Sequence, residues 1–90
     1  MDAYLENVRV IKKDGTKEKY KPEKIITAVC KSASRALVEF TPDEKTRITD
    51  YVNETIIKMG LIEIPIITMH ALVEHALDSV NPEVAESYRN

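Results

Sequence analysis

Three of the four prolines in this 90-residue sequence are followed at once by an acidic residue: Pro22-Glu23, Pro42-Asp43 and Pro82-Glu83. Proline suits the first turn of a helix, where its missing N–H leaves nothing unpaired. A carboxylate in that turn faces the positive end of the helix dipole. Each pair therefore marks a helix start. Thr41 and Glu44 around the second pair make a capping box, and Asn81 caps the third. Apolar residues follow each start at helical spacing. The first stripe is Ile25, Ile26, Val29, Ala33, Ala36 and Leu37. The second is Ile48, Val52, Thr55, Ile56 and Met59, with Gly60 as the stop. A helix with no opening proline carries Met69, Leu72, Val73, Ala76, Leu77 and Val80, and the last carries Val84, Ala85 and Tyr88.

What remains is extended. Residues 8–13 are β-prone, Asp14-Gly15 is the favoured two-residue type I′ turn, and residues 16–20 return. That turn predicts Lys13 opposite Thr16, Lys12 opposite Lys17 and Ile11 opposite Glu18. Residues 61–67 form an apolar run interrupted by Pro65, read as a short third strand or extended connection with the proline at its edge or end. Residues 1–7 are expected to be a tail. The predicted fold is α+β, mostly α: a four-helix bundle with a two- to three-stranded sheet capping one end.

Size and charge narrow the function. A chain of this length buries roughly two thirds of its unfolded surface, which suits a module better than a complete enzyme. No run approaches the roughly 18 apolar residues of a membrane span. The lone Cys30 makes neither an internal disulfide nor a zinc ribbon, which points to a reducing cytoplasm and a buried structural thiol. The net charge of −2 hides an asymmetry. Residues 9–35 hold nine Lys and Arg against three acids, whereas residues 36–90 hold four against ten. A basic third on an acidic protein suggests a local anion site and not a nucleic-acid coat.

The hairpin and first helix together read Val10, Lys12-Lys13, Asp14-Gly15, Glu18 and Lys24-Ile25. Their order and spacing resemble the opening of the ATP-cone, a regulatory domain at the N-terminus of ribonucleotide reductase large subunits. Met69-His70-Ala71-Leu72-Val73-Glu74, Ala76-Leu77, Val84-Ala85 and Tyr88-Arg89 resemble its closing helices. The resemblance covers residues 8–90 and implies ATP or dATP, with Mg2+, as an allosteric ligand. It also implies the catalytic domain of a reductase, and other subunits, as partners. Lys12, Lys13, Lys21 and Lys24 would then face the phosphates beside a helix N-terminus. Glu18 would accept a hydrogen bond from the adenine amine, with the Val10 backbone beside the base and Ile25 against the ring. His70 would lie near the phosphates. Two departures stand out: only Thr68 lies near the position where the family often caps its third helix with Ser or Thr, and the sequence ends before the family's next basic residue. The domain is therefore expected to be cut from a longer chain.

Other readings stay open on the residues alone. The lysines serve equally as solvated surface, Glu18 as the partner of a neighbouring lysine, and His70 as the partner of Glu74 one turn on. The chain also suits a degenerate cone, a helical interaction domain that binds no nucleotide, or the cone of a reductase-gene repressor. The last has a zinc ribbon, and no CxxC pair occurs here. His70 and His75 are a poor metal pair, since five residues apart on a helix they diverge by about 140°. No catalytic residues are expected.

Overall fold

The computed structural model describes residues 3–89. Strands β1 (Arg9–Ile11) and β2 (Lys17–Lys19) lead into helices α1 (Pro22–Arg35) and α2 (Pro42–Met59). Strand β3 (Glu63–Pro65), α3 (Ile66–Val80) and α4 (Pro82–Arg89) follow. The helices pack in a ring, α1 on α2, α2 on α3, α3 on α4 and α4 back on α1, and the sheet lies against α3. The predicted bundle and end-capping sheet are both present. The sheet has three strands in the order β2-β1-β3, with β3 parallel to β1 and Pro65 as its last residue.

The hairpin register differs from expectation by one residue. Ile11 pairs with Lys17, Val10 with Glu18 and Arg9 with Lys19. A type I′ turn needs positive φ at both central residues, but of the turn residues only Gly15 has it, at 87°. The loop is instead three residues long. The Gly15 N–H donates to the Lys12 carbonyl (2.9 Å) and the Lys12 N–H to the Thr16 carbonyl (2.8 Å). The Thr16 N–H also donates to the Asp14 carboxylate (2.9 Å), which holds that carboxyl below its ordinary range. A one-residue shift turns every side chain of the returning strand over. Glu18 therefore shares a face with Val10 and the buried Val8, Tyr20 and Ile64.

Helix starts follow the proline pattern. The Thr41 hydroxyl accepts from the Glu44 N–H (3.2 Å), and the Glu44 carboxylate accepts from the Thr41 N–H (2.9 Å). Asn81 accepts from the Glu83 N–H at 3.0 Å. By contrast, no side chain caps α1, whose N-cap is Lys21. The core comprises Val29, Ile48, Val52, Ile56, Ile64, Leu77, Val84 and their neighbours, and burying such side chains stabilises the fold by about 1.5–3 kcal/mol each.

Some expectations do not hold. Leu37 leaves the first stripe: α1 ends at Arg35, and Leu37 has φ 58° and is 94% exposed. The Val38 N–H reaches back to the Ala33 carbonyl (2.8 Å) and the Leu37 N–H to that of Ser34 (3.1 Å), the Schellman closure that usually places glycine where Leu37 stands. Gly60 (φ 66°) makes the same closure at the end of α2. Met59 is also exposed, and Cys30 is half-buried. Residues 1 and 2 of the expected tail lie outside the described residues. Of the rest, Leu5–Asn7 form a 3-10 turn, Leu5 is buried, and the Tyr4 hydroxyl donates to the Leu61 carbonyl at 2.9 Å.

Candidate functional site

A cleft of about 290 Å³ opens where the hairpin meets the bundle. Its floor is apolar, with Val10 from β1, Ile25 and Ala28 from α1, Ile66, Met69 and Val73 from α3, and Tyr88 from α4. Its rim is charged, with Lys12, Glu18, Lys19, Lys21 and Lys24 from the hairpin and the start of α1. Seven of the eight residues expected at a site line this one cleft: Val10, Lys12, Glu18, Lys21, Lys24, Ile25 and His70. Lys13 does not. It sits exposed in the turn, because the three-residue loop takes it off the strand.

Glu18 is the centre of the rim. One carboxylate oxygen pairs with the Lys12 ammonium at 2.9 Å, and the other accepts from Lys24. The Glu18 side chain is 31% exposed, against 54% for Lys12 and 60% for Lys24, so the carboxylate is the more sheltered member. The hydrogen bond from Lys12, then that from Lys24, lowers its pKa from the ordinary 4.5 to about 2. The same contact raises that of Lys12. Lys21 and Lys24 flank the start of α1, where the helix dipole presents partial positive charge, no side chain caps the free N–H groups, and Glu23 is the acidic residue of the first turn. Three cations and a helix N-terminus thus converge on one edge of an apolar hole.

Neighbouring contacts hold this geometry. The Tyr20 hydroxyl donates to Asn53 at 2.5 Å, anchoring the end of β2 to α2, and burial pushes the Tyr20 phenol up. On the opposite face of the sheet the Lys17 ammonium reaches the Glu63 carboxylate at 2.6 Å, tying β2 to β3 across β1. At the far wall the His70 and Tyr88 rings meet edge to face, their centroids 6.0 Å apart. Burial, then the charge of Glu74, raises the Tyr88 phenol. Glu74 itself pairs with Arg89 at 2.7 Å, not one turn back along its own helix. Ala28, His70 and Tyr88 also border a second depression, which adds Lys31, Arg35 and Arg89.

Sequence reasoning did not place Met69, Val73 and Tyr88 at the cleft, reading them as members of apolar stripes and of the segments that resemble closing helices. An apolar stripe does not reveal which of its members look into a cleft. Among the described residues, no three His, Cys, Asp or Glu side chains gather so as to hold a metal ion, and no helix is long and apolar enough to cross a membrane. The arrangement is suited to bind a flat apolar group with an anionic tail.

A family model described as the ATP cone domain matches residues 8–90. No curated protein matches the chain.

Proposed function

The chain belongs to the ATP-cone family of nucleotide-binding regulatory domains, and on that premise we propose that its cleft takes ATP or dATP as an allosteric signal. The carrying observation is the ionic rim, where Glu18 lies between Lys12 and Lys24 at the mouth of an apolar hole. The ring of an adenine fits against Val10, Ile25 and Tyr88, its amine directed to the Glu18 carboxylate. The phosphates fall to Lys12, Lys21 and Lys24 at the dipole end of α1, and His70 stands on the same side of the cleft floor as Tyr88. Lys13, out in the turn, is left as a long-range positive charge. Mg2+ would arrive on the phosphates, whose oxygens suit it better than any protein cluster here. In a longer chain the domain would report nucleotide levels to the catalytic domain of a cytoplasmic ribonucleotide reductase and alter how its subunits associate.

Thermal melting and calorimetry with ATP, dATP and GTP test this reading. ATP at 100 times its dissociation constant should stabilise the fold by about 2.7 kcal/mol. For a domain of this size, that raises Tm by about 10 °C or more. GTP presents a carbonyl oxygen where adenine has an amine, so Glu18 should cost it about tenfold or more in affinity. Equal binding of GTP and ATP contradicts the assignment of the base. No shift with millimolar ATP and magnesium favours a helical interaction domain without a nucleotide.

A further inference from the structure

The proposed reading asks two things of the rim at once. Lys12 and Lys24 are to hold phosphates, yet both oxygens of Glu18 already engage them, one lysine to each. An anion that takes those lysines does so against a fixed negative charge that already holds both ammonium groups. A ligand that also brings a donor for the carboxylate meets less opposition, because a hydrogen bond from that donor offsets part of what Glu18 loses. We infer that Glu18 couples the two ends of the ligand, withholding Lys12 and Lys24 from a bare polyphosphate and releasing them when an amine on the base replaces them.

The geometry makes this a property of one side chain. Glu18 is on the inner face of the sheet beside Val10, between the apolar floor and the lysines. It therefore borders the space for the base and the space for the phosphates together. Its depressed pKa of about 2 keeps it ionised at any physiological pH, so the restraint does not slip with acidity. The inference rests on the proposed adenine-nucleotide reading. It adds that base and phosphate binding are cooperative, and that the site discriminates against free polyphosphate.

The test is calorimetry of the 90-residue chain with inorganic tripolyphosphate and with ATP, at one ionic strength, for wild type, Glu18→Gln and Glu23→Gln. Glu23 lies in the same first turn of α1, outside the lysine pairs, so its variant removes one negative charge without touching the bridge. Circular dichroism confirms that each variant is folded. Removing a like charge close to the phosphates should tighten tripolyphosphate binding by Glu18→Gln about three- to tenfold. Its ratio of ATP to tripolyphosphate affinity should shrink accordingly, and Glu23→Gln should show less than half that gain. Tripolyphosphate binding unchanged or weakened by Glu18→Gln overturns the inference, as does an equal gain from Glu23→Gln, which would mean a general charge effect. The two ideas fail separately. Wild type that ignores ATP refutes the nucleotide reading, whereas wild type that binds ATP with no gain in Glu18→Gln refutes only the coupling.

Discussion

The two walls of the cleft are built on opposite principles. The hairpin and the start of α1 offer charges that are mostly exposed and held by one another, with Glu18 between Lys12 and Lys24. The α3–α4 wall offers Met69, Val73 and the His70–Tyr88 pair, held by packing against a buried core. Exposed charges attract at a distance and are screened by salt, whereas apolar contacts act only on touching and are nearly indifferent to it. One wall should therefore set how strongly a polyanion is drawn in, and the other how well the base fits.

Breaking the ionic wall should have the largest effect. Lys12→Ala or Lys24→Ala should weaken ATP binding about ten- to hundredfold, the loss of a charge-assisted contact. The loss should diminish as salt rises. Lys58→Ala, in the last turn of α2 and outside the cleft, is the control and should change little. If all three variants bind alike while folded, the phosphates lie elsewhere. Breaking the apolar wall should do less. Tyr88→Ala removes an aromatic surface worth about 0.5–1.5 kcal/mol, a loss of roughly three- to tenfold in affinity. That loss should be the same at low and high salt, and a strong salt dependence would erase the distinction between the walls.

The smallest effect concerns stability without ligand. Glu18 has a depressed pKa, so its ion pairs support the fold above the ordinary 4.5 and are lost as pH falls toward about 2. Any Tm advantage of wild type over Glu18→Gln should be flat near neutrality and should vanish across that acid window. An advantage that persists at pH 2 would mean that Glu18 acts through packing.

The same contrast explains what could be read from the sequence. Helix starts were legible because proline and its acidic neighbour act locally, and the capping box at Thr41 and Glu44 forms as expected. Lys12, Glu18 and Lys24 could be grouped because hairpin and helix are adjacent in the chain. The register was not legible, because Asp14-Gly15 serves two turn types that differ in the φ of one residue. Nor was the role of Tyr88, which depends on α4 packing against α1 from more than 50 positions away. Leu5 escaped notice for a similar reason: the segment before the hairpin is too short to show periodicity, and only the assembled core reveals its place.

Leu37 has a use that its location alone confers. An ordinary residue in the left-handed region costs about 1–2 kcal/mol, part of which glycine would return by its own greater freedom when unfolded. It ends a helix of 14 residues whose other end borders the cleft, about 21 Å away along the axis. Leu37→Gly should thus raise the melting point of the free domain and of its complexes by the same amount, leaving affinity untouched. That makes the position an independent dial on stability, against which a rise in melting temperature can be apportioned between a tighter ligand and a sturdier fold.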